Sequence, residues 1–368
     1  MWAAGIGLSY EQQAAAVVFG GDRSRLDRVL GRLLAQQPIT VGVVGGSISA
    51  GSTYSVYRGG YAAKLWHGLF FEWLRAAHPH RAHEHNNGAL PASTPAFVES
   101  CVQFQVPPHS DLVLIDFAVN FDTTRAYERL LRRLLVYPRR PAVIAFNFPS
   151  FMVPGATKSL PRHPLREADL RFPAVRREEL SIERLARHYG VPLISMSRAV
   201  GAVVRSNATA GLRLPDLMLD RVHPSQRGHR LAAALLVRFV QAELVRLRAA
   251  ARGGRAPPPP SPAPPSPLRL PSPLVPGNDR EDGQRYTCLR GEQLSAHVLS
   301  ARGWQFTRGE GGNPKPGWAA SAAGQTLEIC WKPPHGWSRA GLKLGYLQAG
   351  WGRGRVRGWG RGRGWVCG

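Results

Sequence analysis

Arg23 to Gln37 carries Leu26, Val29, Leu30, Leu33 and Leu34 at helical spacing, which predicts an amphipathic helix ended by Pro38. Ile39 to Val44 is a short, β-branched apolar run stopping at Gly45-Gly46 and reads as a buried strand. Gly60 to Ala77 predicts a helix with Trp66, Phe70, Phe71 and Trp73 in the core, and Arg81 to Asn86 a second strand. Asp111 to Val119 holds the run Leu-Val-Leu-Ile and is a further buried strand, followed by a helix over Thr124 to Val136. Pro141 to Phe148 and Pro192 to Met196 read as strands, with a helix over Ser181 to Tyr189 between them. Ser225 to Leu247 is a long amphipathic helix whose first serine can accept a hydrogen bond from an early backbone N–H. Strands alternating with helices imply a parallel sheet covered on both faces, which binds ligands at the carboxyl ends of its strands.

The pattern breaks after about residue 250. Residues 251–277 turn to proline and serine and predict an extended linker, because proline removes backbone donors and fixes φ. Residues 278–350 have short apolar runs separated by Gly and Pro and predict a small β-rich domain. Residues 351–368 repeat Gly, Arg and Trp without a packable pattern and are expected to be disordered. The remaining divisions are an N-terminal helical segment, 1–37, packing on an α/β domain, 38–250.

Composition changes this picture little. The net charge of +24 raises nucleic acid or an acidic polymer as a partner. The excess is almost all arginine, however, with lysine only at Lys64, Lys158, Lys315, Lys332 and Lys343, and a GC-rich coding sequence accounts for that skew together with the abundant Ala, Gly and Pro. A nucleic-acid partner is therefore not expected, although the tail offers arginine and aromatic groups for stacking. No apolar stretch reaches 18 residues, so no transmembrane helix is expected. Met1 to Tyr10 lacks a basic segment leading into an apolar run, so no signal peptide is read there. The sequon at Asn207-Ala208-Thr209 bears only on a secreted chain. Cys101, Cys288, Cys330 and Cys367 include no CxxC pair, which argues against thiolate zinc; Cys288 and Cys330 lie close enough in sequence to share a disulfide in an oxidising compartment.

Four places carry chemistry. In Gly45-Gly46-Ser47-Ile48-Ser49-Ala50-Gly51, small residues let the chain turn sharply after a strand and leave Ser47 exposed at the sheet edge. No Gly-Lys-Ser/Thr follows, so this is not a phosphate-binding P-loop. Ser49 is the alternative nucleophile in the same turn. Before the last helix, Asp220-Arg221-Val222-His223 sets a carboxylate three residues ahead of an imidazole, which can hold one ring nitrogen protonated and leave the other free to take a serine proton. Asn120 follows the strand of Asp111 to Val119, and the turn Asn87 to Ala92 follows the strand before it. Side-chain and backbone amides at such positions can stabilise a developing oxyanion. His78, His80, His83 and His85 are read as a solvated loop rather than a zinc site, since no Cys or helical i, i+4 pairing supports them.

GGSISAG, NNGALPAS, FAVN and DRVHPSQRGH resemble blocks I, II, III and V of the SGNH (GDSL-type) hydrolases over about residues 38 to 245, in wording similar to SGNH proteins of green algae and plants. The segment CLRGE…GLKLGYL is similar to the β domain that follows such cores. The resemblance implies a three-layer α/β/α sandwich with a flavodoxin-like parallel sheet. It implies Ser47 as nucleophile, Asp220 and His223 as its triad partners, and Asn120, Ala92 and the Ser47 N–H as oxyanion donors. It implies ester hydrolysis through an acyl-enzyme, without metal or organic cofactor, on a small acyl ester or an acylated polysaccharide or lipid. A secreted or wall-associated setting fits the linker and β domain. Three departures stand out: Gly46 replaces the usual Asp, Ala92 the usual oxyanion Gly, and Phe121 the Asp that commonly follows Asn120. The last two motivate a rival reading, a binding or wall-associated protein on a weakened hydrolase core.

Overall fold

The structure, a computed structural model, describes residues 7–51, 64–152, 176–206, 213–253, 270–281, 288–289, 291–308, 317–331 and 366–367. The sequon, most of the proline-rich stretch and nearly all of the Gly/Arg/Trp tail lie outside them. The chain forms two units, Met1–Arg285 and Tyr286–Gly368.

The first unit is built on a six-stranded sheet of β1 (Val17–Phe19), β2 (Thr40–Gly45), β3 (Glu84–Asn87), β4 (Leu112–Asp116), β5 (Ala142–Asn147) and β6 (Leu193–Ser195). Their order is β1-β6-β5-β4-β2-β3. All pairings are parallel except β1 with β6. Without β1, the order is the flavodoxin-like 2-1-3-4-5 arrangement, whose switch point, where ligands bind, lies between β2 and β4. The central strands read as apolar runs because both faces are covered. Leu112 and Leu114 face one hydrophobic cluster, Val113 and Ile115 the other.

The helices are α1 (Tyr10–Ala14), α2 (Arg23–Leu34), α3 (Ser47–Ala50), α4 (Trp66–Ala77), α5 (Pro95–Val98), α6 (Thr124–Leu135), α7 (Arg177–Tyr189), α8 (Met196–Ser206), α9 (Leu214–Leu217) and α10 (Gln226–Arg252). Helices α2, α4 and α10 bury Leu30, Phe70 and Leu236 in the first cluster; α6 and α7 bury Tyr127, Leu130 and Leu185 in the second. Each such side chain contributes about 1.5–3 kcal/mol when removed from water. The result is the three-layer α/β/α sandwich. Ser225 caps α10 as expected, its Oγ accepting from Gly228 N at 3.2 Å. Among the described residues no helix is long and apolar enough to cross a membrane.

Two elements escape the periodicity. Val17–Phe19 is too short to show alternation, yet it pairs antiparallel with β6 at the sheet edge, so the N-terminal segment contributes a strand as well as helices. Met196–Ser206 continues as a helix directly out of β6, where the apolar run predicts only a strand. Residues at the end of the proline-rich stretch lie on the sandwich: Leu270 and Leu274 pack against the second cluster.

In the second unit, β7 (Val298–Arg302) pairs antiparallel with β10 (Thr326–Trp331), and β8 (Gln305–Thr307) with β9 (Gly317–Ala319). A short β11 (Val366–Cys367) adds to β10, setting Cys330 opposite Cys367. Cys101, Cys288 and Cys330 are disulfide-bonded.

Candidate active site

The site is assembled at the switch point of the sheet. Gly46 stays extended (φ −89°, ψ −153°) as β2 ends, so Ser47 becomes the first residue of α3, a single turn closed by Gly51 at φ +73°. Ser47 is half-buried. Its Oγ lies 2.8 Å from His223 Nε2. On the other side of the ring, His223 Nδ1 lies 2.7 Å from Asp220 Oδ2. An ionised carboxylate only accepts, so Nδ1 carries the proton and Nε2 is left to accept from the serine hydroxyl. The second Asp220 oxygen accepts the backbone N–H groups of Val222 and His223, both at 2.7 Å, which fixes the carboxylate against the loop that bears the histidine. Burial pushes the Asp220 carboxyl up. The His223 ring hydrogen bond and charge, with the two backbone N–H groups, outweigh this and hold it below the ordinary carboxylate range.

Asn120 stands after β4 with its side chain against Gly46. A Cβ built on Gly46 would fall 2.2 Å from Asn120 Oδ1 and 2.6 Å from its Cγ. Glycine at position 46 is therefore what allows the amide to lie beside the Ser47 turn. Gly46→Ala is expected to displace Asn120 and, with Asn120 as the oxyanion donor that the family resemblance implies, to lower kcat about 100-fold. A double-mutant cycle with Asn120→Ala checks this: the double variant should be no slower than Asn120→Ala alone.

The loop after β3 is tied to the same sheet end. Gly88 N–H donates to Val43 O and Leu90 N–H to Gly45 O, both at 3.0 Å, while the buried Ser93 Oγ reaches Gly45 O at 3.2 Å. This loop carries Ala92 at φ +57°, the left-handed region that favours glycine. Ala92 thus holds a backbone shape that glycine would adopt at lower cost. Ala92→Gly is expected to raise stability by about 1 kcal/mol, read as an increase in Tm, by relieving that strain. Phe121 is partly buried and packs on Tyr127 with ring centroids 5.8 Å apart, against the second cluster. Asp122 accepts from Ala96 N at 2.9 Å and Thr123 N at 2.6 Å, so it serves the backbone.

Ser49 is fully buried; its Oγ donates to Asp116 Oδ2 at 2.7 Å and accepts from Trp66 Nε1 at 3.0 Å. It is part of the support under the turn. The histidines read as a loop bond to backbone or to one another. His83 Nδ1 accepts Ile39 N–H at 3.1 Å and its Nε2 meets His78 O at 2.8 Å; His85 Nε2 meets His67 Nδ1 at 2.9 Å. No group of His, Cys, Asp or Glu among the described residues is arranged to hold a metal ion. Beneath the site, burial pushes His67 down to about 3, helped by His85, and His229 to about 3, helped by His67 and His223. Both rings are neutral at ordinary pH. This buried layer, with Asp116, is what sequence reading missed; the one visible signal was a carboxylate inside the run Leu-Val-Leu-Ile-Asp.

No protein-family model and no curated protein sequence matches the chain. Solved structures of similar fold include a two-domain esterase (CEX) active on acetylated mannans, at TM-score 0.61 and 20% identity over 87% of this chain and 75% of the other. The same esterase co-crystallised with mannopentaose matches at TM-score 0.58 and 19% identity over the same shares. Axe2, an acetylxylan esterase from Geobacillus stearothermophilus, matches over 55% of this chain and 94% of its own at 17% identity, with a TM-score of 0.38 that is too slight to carry an argument. The similarity to the two-domain esterase establishes the fold, a mostly parallel α/β sandwich accompanied by a smaller β-rich unit.

Proposed function

We propose that the chain is a serine carboxylic-ester hydrolase of SGNH type acting on acylated glycans. The observation that carries this reading is the line from Asp220 through His223 to Ser47, with contacts of 2.7 and 2.8 Å. In the reaction, Ser47 Oγ forms a bond to the ester carbonyl carbon as its proton passes to His223 Nε2. The C–O bond to the alcohol breaks, and the alcohol leaves with that proton. Water then loses a proton to His223, attacks the acyl carbon and releases the acid, returning the proton to Ser47. Asn120 and the backbone N–H groups of Ser47 and Ala92 face the oxyanion in this reading. The acyl-glycan assignment draws on the two-domain esterase of similar fold, whose substrates are acetylated mannans. The disulfide-bonded cysteines fit an oxidising, secretory setting. The left-handed backbone at Ala92 and the packing of Phe121 on Tyr127 favour the hydrolase over a weakened core.

The test is to incubate the purified full chain with p-nitrophenyl acetate, acetylated mannan and acetylated xylan, and to measure released acetate. A fluorophosphonate probe, mapped by mass spectrometry, should label Ser47. A folded chain that releases no acetate and takes no label would point instead to the binding or wall-associated role.

A further inference from the structure

The turn that carries Ser47 is held from below by a buried carboxylate for which the triad has no use. We propose that Asp116 is a positioning residue for the nucleophile, acting through Ser49. This rests on the reading of Ser47 and His223 as nucleophile and base.

The geometry is convergent. Asp116 ends β4 and is buried at 2% exposure. Its backbone oxygen accepts Gly46 N–H at 3.3 Å, on one side of Ser47. Its Oδ2 accepts Ser49 Oγ–H at 2.7 Å, on the other side. Ser49 is itself gripped three more times: Trp66 Nε1–H donates to its Oγ at 3.0 Å, and Asn87 Nδ2 and His67 Nε2 both lie 2.9 Å from its backbone oxygen. A carbonyl only accepts, so His67 donates from Nε2 and leaves Nδ1 to accept from His85. Every one of these contacts fixes α3 relative to β3, β4 and α4. A single-turn helix has little rigidity of its own, so the nucleophile direction depends on this support.

Burial pushes the Asp116 carboxyl up to about 7, against the Ser49 hydrogen bond and the attraction of His223. Tyr127 on α6 is pushed up by burial and by Asp116 and stays neutral.

Asp116→Ala removes the acceptor for Ser49, whereas Asp116→Asn keeps an amide oxygen there. In the full-length protein, kcat of Asp116→Ala is expected to fall about tenfold with KM unchanged, in line with the sensitivity of attack to small misplacements, and Asp116→Asn should recover most of the loss. Ser49→Ala, which keeps the carboxyl group, should likewise lower kcat with KM unchanged. A kcat at the wild-type level in Asp116→Ala or Ser49→Ala overturns the proposal. If Asp116→Ala does not fold, Ser49→Ala decides alone. A crystal structure of Ser49→Ala needs no turnover: Ser47 Oγ should stand farther from His223 Nε2 than the 2.8 Å of the wild type. An unmoved Ser47 overturns the proposal, whereas a wild-type chain without esterase activity sinks only the functional reading.

Discussion

Ser47→Ala is expected to lower kcat by about a millionfold, roughly 8 kcal/mol of transition-state stabilisation, while substrate still binds. On the proposed hydrolase reading, the reason lies in how the three groups act as one. The serine hydroxyl is a weak nucleophile until a base takes its proton. Here the base stands 2.8 Å away, in the tautomer imposed by Asp220. Removing either Ser47 or His223 removes the whole covalent route, so His223→Ala should be about as slow, and the double variant no slower than Ser47→Ala. What survives is the oxyanion environment of Asn120 and the backbone amides, which act on water attack without the serine. Stopped-flow or endpoint acetate release checks this. A His223→Ala variant retaining a tenth of wild-type kcat would mean that the 2.8 Å contact is not the proton path.

The parts of this site that were legible in the sequence are those where chemistry breaks a pattern. Ser47 sits among glycines directly after a buried run, and His223 stands between an aspartate and a proline before a long amphipathic helix. Each is an irregularity at the end of an element, where a parallel sheet collects its ligands. Asn120 was visible for the same reason. Supporting contacts leave weaker traces. Ser49 looks from sequence like a second nucleophile, and only its burial against Asp116 and Trp66 separates it from Ser47. His67, His85 and His229 come from three different elements, and no spacing rule brings them together. Gly46 reads as a missing aspartate; its purpose shows only when Asn120 is seen occupying the space a side chain would need. The fold was legible further than the site support because strands buried on both faces announce themselves as apolar runs. A three-residue edge strand such as β1 does not.

The second large effect is expected far from the chemistry, at Glu128 on α6. Its side chain is fully buried, and its four acceptor positions are all used. Oε1 accepts Tyr189 Oη–H at 2.7 Å and Leu274 N–H at 2.6 Å; Oε2 accepts Val275 N–H at 2.9 Å and Asn278 Nδ2–H at 2.6 Å. Three of the four donors belong to the end of the proline-rich stretch and the residue just past it. Around them, Arg132 donates to Pro271 O at 2.7 Å and to Tyr189 Oη at 2.8 Å, and Arg125 donates to Pro276 O at 3.0 Å. Proline-rich sequence reads as linker because it lacks donors. At 274, 275 and 278, however, non-proline residues restore them, and backbone N–H groups carry no side-chain signature that would reveal their partner. Glu128→Ala strips the acceptors and leaves these buried donors unpaired. It is expected to destabilise the first unit by about 3–5 kcal/mol. Near 2–4 °C per kcal/mol for a unit of this size, Tm should fall by roughly 6–20 °C. Glu128→Gln retains one acceptor and should fall between this variant and wild type. Calorimetry decides, together with proteolysis across residues 254–285. If Glu128→Ala melts within about 2 °C of wild type, less than the loss of a single buried hydrogen-bond partner would cause, the end of the proline-rich stretch is not anchored by this carboxylate.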